Sequence, residues 1–520
     1  MLAGFLGAGI ASGAIDRFAM PAKARAANGR QQTFAATCAD WLARLMLVAL
    51  TYALFFSISW RPLYALAGTV STFAVFMLIS RAKFEYIREA LVFSDIALVL
   101  LVFRHKEMFY ASWLNVVFWL ASFTYVFGAS AFFYVLEPSV FPQGSGILPI
   151  VSMILLTAAP WVLLFSGRYR EGASRLSAKL IGTDDINALT VRVGAFTAVV
   201  SGFLAWLGNR PKLASPAPAG VDETTFTRPV ARRIGKGRPL IVVWQSESFM
   251  DMRHFGVSSV ALPNLDRLRQ RAAEWGRMSS IFEGGYTLRT EFSVISGLPP
   301  SQLGPDATYP YLNAGTYADV AWPSRFRQAG WATRFLHPYD RQFFSRDRAL
   351  PLLGFEELVM LDAFDHDREH DGPYVSDMTL SKRLLQYCDG DHGKEGQFLF
   401  AASMENHGPW HAGRHGVSVD PVEIYLAILQ RSDAALGFLA DEMDRMERPA
   451  WLVFYGDHAP VLKSFADPFP DPRTDYVIVP MSRAAKYANR GIVPAEKAPW
   501  NIVPDLVRLA GLHNIAAEAA

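Results

Sequence analysis

Four short segments carry residue types that could do chemistry together. Leu240–Trp244 is a run of apolar residues that runs directly into Gln245-Ser246-Glu247-Ser248. A second run, Trp451–Tyr455, is followed by Gly456-Asp457-His458. Carboxylate and imidazole donors at the ends of buried strands suit one divalent cation, and Gly456 would permit a tight turn before them. The bland readings are a solvated strand-end Glu247 and a turn Asp457 beside a surface His458. Between the two lies Glu283-Gly284-Gly285-Tyr286-Thr287-Leu288-Arg289-Thr290-Glu291-Phe292. A Gly-Gly turn leading to a threonine at a helix start would place a hydroxyl beside free backbone N–H groups, which suits an anion. Threonine is a poor nucleophile at neutral pH, so Thr287 acting as one would need a metal to lower its pKa. The competing role for Thr287 is a helix N-cap, with Thr290 as the rival position.

Three further residues could hold an anionic substrate. His337 ends the expected strand Ala332–Leu336, and Arg346 lies in Phe343-Phe344-Ser345-Arg346-Asp347. His407 sits in Glu405-Asn406-His407-Gly408-Pro409-Trp410, beyond the expected strand Gln397–Ala401. Arginine suits bidentate phosphate contact and histidine can give a proton to a leaving oxygen. Taken singly, Arg346 reads as a surface ion pair with Asp347, and His337 as a satisfied core or rim histidine. His411, Arg414 and His415 read as surface residues and are not assigned.

The elements that must position these groups fall in the second half of the chain. Short apolar runs, among them Tyr476–Val479, alternate there with helical periods at Asn264–Glu274, Trp322–Gln328, Asp377–Tyr387, Val422–Met446 and Ile502–Leu509. Strands alternating with helices predict a three-layer α/β/α domain over residues 239–520 with a largely parallel sheet, whose active site gathers at the carboxyl ends of the strands. Ten of the eleven histidines lie in this half.

Residues 1–208 read differently. Apolar runs long enough to approach ~30 Å of hydrocarbon occur at Leu45–Trp60, Pro62–Ser80, Ser112–Leu136, Gly146–Ser166 and Val193–Gly208. They predict a bundle of about five spans. Leu91–Phe103 carries Asp95 and reads as an interfacial or re-entrant segment, and Met1–Ile15 as an amphipathic or partly inserted start. Basic residues precede the first span (Arg17, Lys23, Arg25, Arg30) and fill alternate loops. That asymmetry orients the bundle with those loops cytoplasmic and puts everything after the fifth span outside. A Pro- and Arg-rich stretch, 209–238, is the expected linker. The chain of 520 residues is 51% hydrophobic yet 19% charged, so its composition is an average over two unlike parts. A net charge of +2 gives no argument for nucleic acid, and two cysteines exclude a disulfide framework.

Taken in order, strand–Glu247, Gly-Gly-x-Thr287, strand–His337, Phe-Phe-x-Arg346-Asp, Asn-His407-Gly-Pro and strand–Gly-Asp457-His458 resemble the alkaline-phosphatase/sulfatase superfamily. The closer likeness is to its membrane-anchored phosphoglycerol transferases, of which lipoteichoic acid synthase is typical. Pro263-Asn264-Leu265-Asp266-Arg267-Leu268 is similar to the sulfatase-type helix start, and Thr287 with Glu291-Phe292 is similar to the synthase nucleophile segment. Arg88–Asp95 is similar to the family's intracellular loop, and five spans before an external catalytic domain is its architecture. The resemblance implies a divalent cation, manganese first and zinc or magnesium as alternatives, held by Glu247, Thr287, Asp457 and His458. It implies phosphate and headgroup contacts from His337, Arg346 and His407, with Phe344 where the synthase has a tryptophan. Tyr339, with Asp340 beside it, stands where the synthase has an acidic headgroup contact. Neither cysteine lies in a Cys/Ser-x-Pro-x-Arg motif, which removes sulfate-ester hydrolysis as a leading candidate. The implied activity is transfer of phosphoglycerol from phosphatidylglycerol to an envelope glycan or polymer through a Thr287 intermediate, with His407 moving the proton. The implied location is the plasma (inner) membrane, with the catalytic domain on its outer side. Rival readings are a phosphoethanolamine transferase, a phosphodiesterase and a non-catalytic envelope scaffold. Ala/Arg-rich composition tilts the acceptor toward a periplasmic glycan.

Overall fold

A computed structural model of the chain describes residues 1–29, 32–98, 116–142, 144, 146–165, 167–182, 185–208, 238–281, 284–368, 372–388, 395–414, 416, 418–481 and 493–512. Apart from Arg238, the expected linker lies outside them, as do Glu283, His415, the beginning of the expected third span and the end of Leu91–Phe103. The chain divides into two compact units, Met1–Arg210 and Pro211–Ala520.

The first unit is helical. Phe34–Ser59 ends at Trp60, which takes a left-handed conformation, and the chain restarts with Pro62 as the first residue of Pro62–Ile87. Proline suits that position because its missing N–H would have no helical partner there. Glu137 then accepts from the next two free amides, Leu63 at 2.6 Å and Tyr64 at 2.9 Å. Two helices, Phe34–Ser59 and Pro62–Glu85, are long and apolar enough to cross a membrane. The described helices at the other three expected spans are shorter, so the count of five is not reached on this measure. The last shows why: Gly194, at φ 83°, separates Ile186–Val193 from Ala195–Leu207. Its 13 residues rise only about 20 Å, short of ~30 Å of hydrocarbon. The expected re-entrant segment contains a 3-10 helix at Phe93–Leu98, where Asp95 and Glu89 both pair with Lys83.

The second unit is built on one eight-stranded sheet. Its strands are β1 (Leu240–Ser246), β2 (Glu274–Met278), β3 (Ala332–Leu336), β4 (Glu357–Val359), β5 (Gln397–Ala402), β6 (Ala450–Gly456), β7 (Thr474–Met481) and β8 (Ala495–Lys497). They run in the order β4-β3-β5-β1-β6-β7-β2-β8. All neighbours are parallel except β7, which is antiparallel to both β6 and β2, so the sheet is mixed but mostly parallel. The central strands are buried on both faces and therefore read as continuous apolar runs. Leu240, Val242 and Trp244 join a core with Leu265, Leu380 and Leu436 from helices Pro263–Arg271, Asp377–Cys388 and Pro421–Arg445. On the opposite face Phe398 and Phe400 pair in register with Ile241 and Val243. Phe326, from helix Trp322–Gln328, stacks on Phe398 at 4.6 Å.

One expected helix is cut short. The period at Asn264–Glu274 forms a helix only over Pro263–Arg271; the backbone becomes extended at Ala272, and Glu274 begins β2. Pairing with β7 overrides the helical period, because Trp275 and Gly276 take up the ladder beside Val477 and Tyr476.

Candidate active site

The four parallel strands β3-β5-β1-β6 lie side by side, and Glu247, Asp457, His337 and the segment Ser403–His407 all follow their carboxyl ends. Register fixes the central pair. Ser246 lies opposite Gly456, so the next residues, Glu247 and Asp457, emerge together. The glycine is needed for a reason other than the turn the sequence suggests. A Cβ on Gly456 would sit 1.9 Å from the Phe249 carbonyl oxygen, so only glycine lets the two strand ends approach this closely.

Ser248 follows Glu247 at φ 50°, a left-handed conformation that is strained for a serine. It is pinned from three sides. Its N–H donates to Asp457 Oδ1 at 2.8 Å, its hydroxyl to Glu247 Oε1 at 2.8 Å, and its carbonyl accepts from the Tyr425 hydroxyl at 2.9 Å.

Thr287 is the first residue of helix Thr287–Ser296, behind a Tyr286 N-cap that makes no side-chain cap. Neither threonine is the cap. Thr287 donates to Glu247 Oε2 at 3.3 Å and lies 3.4 Å from His458 Nε2. Thr290 donates to the Asp457 carbonyl at 2.9 Å. One ligand atom each from Glu247, Asp457 and His458 falls within 4.8 Å of the others, and all three residues are buried. His458 Nδ1 is engaged with the Ala459 carbonyl at 2.9 Å, which leaves Nε2 facing the cluster. Asp457 Oδ2 is buried without a hydrogen-bond partner, 3.4 Å from His458 Nε2.

The electrostatics suit a divalent cation. Burial opposes charge on Glu247, yet His407 and His458 outweigh it and hold the carboxyl down at about 2. Burial and Glu247 push Asp457 up to about 7. Burial works against a charged His458, but Asp457 and Glu247 overcome it and raise the imidazole to about 10. Two carboxylates compressed together and held by a proton on His458 form a site in which a divalent ion would replace that proton. A carboxylate, a carboxylate, an imidazole and a hydroxyl suit a manganese-, zinc- or magnesium-class ion.

The expected phosphate contacts form a second layer. Arg346 is fully buried and is not a surface partner of Asp347. Its Nε and Nη2 donate to both oxygens of Glu291 at 3.0 and 2.9 Å, and its Nη1 lies 3.0 Å from His337 Nε2. Glu291 also accepts from the Tyr311 hydroxyl at 2.6 Å. His337 Nδ1 lies 2.9 Å from the Ala402 carbonyl, so burial and the neighbouring guanidinium keep this imidazole neutral, with a strongly lowered pKa. Two consecutive left-handed residues, Phe344 (φ 57°) and Ser345 (φ 56°), turn the chain to send Arg346 inward, and the guanidinium lies 5.1 Å over the Phe344 ring. Phe344 in turn lies 5.8 Å from Tyr286, the neighbour of Thr287.

His407 is half-buried, and burial lowers its pKa against the pull of Glu247. Its Nδ1 lies 3.5 Å from the Tyr374 hydroxyl. Arg414 is not a free surface residue. It donates to the carbonyls of Pro409 and Glu405 and lies over Tyr374 at 5.1 Å, so it fastens the loop carrying His407. Tyr339 is buried, 5.3 Å from Phe343 and 6.3 Å from Tyr374. Sequence reasoning missed the roles of Glu291, Tyr311, Tyr374 and Arg414. Glu291 had a signal, a carboxylate one helical turn after Thr287; the tyrosines had none.

This is a sheet of the alkaline-phosphatase type with, at the carboxyl ends of its strands, a buried cluster that could hold a metal ion. Residues 239–512 match the Sulfatase family model, and the chain belongs to the sulfatase family. Over 505 residues it is 52% identical to the capsular polysaccharide biosynthesis protein RkpI of Rhizobium meliloti (strain 1021), covering 97% of this chain and 93% of that one. A 26% identical match to a putative cyclic beta-1,2-glucan modification protein of the same organism covers 50% of this chain and 43% of the other. Among solved structures, the lipooligosaccharide phosphoethanolamine transferase EptA of Neisseria meningitidis superposes with a TM-score of 0.53 at 12% identity. That likeness covers 98% of this chain and 95% of EptA, and it is a likeness of fold.

Proposed function

We propose that the chain is a membrane-anchored, manganese-dependent transferase that moves phosphoglycerol from phosphatidylglycerol to an envelope glycan. The observation that carries this reading is the convergence of Thr287 with Glu247, Asp457 and His458, with one carboxylate oxygen left unpartnered. A bound divalent ion would lower the pKa of the Thr287 hydroxyl and offset charge on the phosphate. Thr287 Oγ1 attacks phosphorus as its proton passes to His407, and the bond from phosphorus to the diacylglycerol oxygen breaks, that oxygen taking the proton from His407. An acceptor hydroxyl then attacks the phosphoglyceryl-threonine, giving its proton to His407, and the bond from phosphorus to Thr287 Oγ1 breaks as His407 returns that proton to Thr287. Arg346 has two N–H groups beyond the three given to Glu291 and His337, and these would be its donors to phosphate oxygens. Glu291-Phe292 after Thr287 supports phosphoglycerol over phosphoethanolamine. So does Cys388, the unit's only cysteine, which is a buried free thiol.

The name of its 52% identical relative supports a capsular or related envelope polysaccharide as acceptor. The basic loops support a multi-pass anchor of about five spans in the inner membrane, residues 209–238 as linker and the catalytic unit on the outer side. The test is diacylglycerol release by the full chain with manganese in lipid nanodiscs. Release from phosphatidylglycerol is expected, with a phosphoglyceryl adduct on Thr287, and T287A should lower release by at least about 10³-fold. Release from phosphatidylethanolamine alone overturns the headgroup, and undiminished release by T287A overturns the mechanism.

A further inference from the structure

The first unit carries an open cleft of about 610 Å³, within the size range of small-ligand sites. It shares no residue with the transfer site. Phe5, Leu6, Ile10, Trp41 and Leu45 supply an apolar wall, while Arg17, Arg25, Arg44 and Arg192 also line it. The wall remains open to its surroundings, with Ile10 77% and Trp41 50% exposed.

Two of the four arginines are committed. Arg192 makes a bidentate pair with Asp40, at 2.7 and 3.2 Å. Arg44 pairs with Asp16 at 3.5 Å. Asp16 is itself held against the start of helix Ala195–Leu207, where a Cβ on Gly194 would lie 2.0 Å from its Oδ2. Among the described residues, Arg17 and Arg25 have no acidic partner, and Arg25 Nη1 donates only to the Arg17 carbonyl. A buried hydroxyl on the same lining, Thr190 Oγ1, has no hydrogen-bond partner.

Two glycines keep the cavity open. Gly9 and Gly13 lie one helical turn apart on Leu2–Ile15 and both line it. A Cβ at Gly9 would meet Leu45 at 3.6 Å and one at Gly13 would meet Arg44 at 3.4 Å, ordinary contacts in both cases. Alanine therefore fits at either position, whereas a longer side chain would occupy the space.

We infer that this cavity binds an anionic membrane phospholipid. Its phosphate would be held by Arg17 and Arg25 with Thr190 as an additional donor, and an acyl chain would lie along Leu6, Ile10, Trp41 and Leu45. The apolar wall argues against a free inorganic anion, which would need only the charged end. The uncompensated guanidinium pair argues against a zwitterionic lipid, whose own cation would face Arg17 and Arg25. Trp41 and Leu45 belong to Phe34–Ser59, a helix long and apolar enough to span, so lipid is the occupant within reach.

The test is native mass spectrometry of the full chain, delipidated and then offered phosphatidic acid, phosphatidylcholine or inorganic phosphate. Phosphatidic acid should be retained at least about tenfold better than phosphatidylcholine. The double variant R17Q/R25Q should lose that preference, and G9L should lose retention that G9A keeps. Equal retention of the two lipids overturns the inference, as does a preference unchanged in R17Q/R25Q. Displacement by millimolar phosphate would assign the site to free anions instead. If R17Q/R25Q does not fold, photoactivatable phosphatidic acid on the unaltered protein decides. Label within 1–25, 41–45 and 190–192 is expected, and label confined to other segments refutes the site. Diacylglycerol release reads the transfer reaction separately, so the two proposals can fail independently.

Discussion

The buried pair Glu291–Arg346 offers a quantitative test of how the site is held. Both side chains are essentially inaccessible, at 0% and 1% exposure, and two parallel N–H···O bonds of 3.0 and 2.9 Å join them. Replacing one partner leaves the other as an uncompensated buried charge, which costs about 3–5 kcal/mol. E291Q keeps the shape and removes the charge, and it also weakens the 2.6 Å bond from Tyr311. At ~2.1 cal/mol/K of unfolding entropy per residue, the unit Pro211–Ala520 shifts by roughly 1.5 °C per kcal/mol, so E291Q should melt roughly 5–8 °C lower. R346M should do the same. The double variant E291Q/R346M should recover much of the loss, because replacing both members of a buried pair is far less costly than breaking it. Thermal unfolding of the full chain in detergent, followed by intrinsic fluorescence, reads all four proteins. Singles that each cost under ~1 kcal/mol, with strictly additive effects in the double, would mean that water screens this pair. The assignment of Arg346 as a rigid, preoriented phosphate donor would then fail.

Two further outcomes follow from the ligand cluster. G456A should abolish manganese binding while the sheet persists, since the added carbon would collide with the Phe249 carbonyl that fixes the distance between Glu247 and Asp457; titration calorimetry with far-ultraviolet dichroism checks it. Metal affinity should rise with pH. With the metal-free Asp457 raised to about 7, the carboxyl is protonated below that pH and must lose its proton to bind. Affinity should therefore climb about tenfold per pH unit below 7 for this proton alone, and manganese titrations at pH 6 and 8 showing no difference would refute the coupling.

What was legible in the sequence was whatever the chain repeats locally. β1, β5 and β6 each carry an unbroken apolar run because both faces of the sheet are covered, and the ends of β1 and β6 point to Glu247 and Asp457 without any structure, whereas β3, interrupted by Thr333 and Arg334, is a weaker pointer to His337. Peripheral strands were not legible. β2 reads Glu-Trp-Gly-Arg-Met and β8 Ala-Glu-Lys, sequences whose strand character comes from their neighbours, β2 lying between β7 and β8. Arg346 and Glu291 stand 55 residues apart, and Arg414 reaches Tyr374 across 40, so no local pattern could announce either contact. The five expected spans were read from hydropathy, which sees apolar content but not the break at Gly194.

Backbone strain marks the same boundary between what a sequence shows and what a fold imposes. Among the described residues, the catalytic unit has three non-glycine residues at positive φ: Ser248, Phe344 and Ser345. Nothing in their side chains favours that conformation, and each costs about 1–3 kcal/mol. All three adjoin residues of the site. Ser248 turns the chain immediately after Glu247 so that its own N–H reaches Asp457 Oδ1, the oxygen that also accepts from the His458 amide at 2.9 Å. That leaves Oδ2 as the free atom facing the cluster. Phe344 and Ser345 drop Arg346 into the core, where Glu291 captures it. Glycine at these positions would remove the strain, yet at Phe344 it would also remove the ring beneath the guanidinium. At Ser248 and Phe344 the strained residue also makes a contact with its own side chain, to Glu247 and to Arg346, and a propensity scale, which scores each position alone, ranks both as errors.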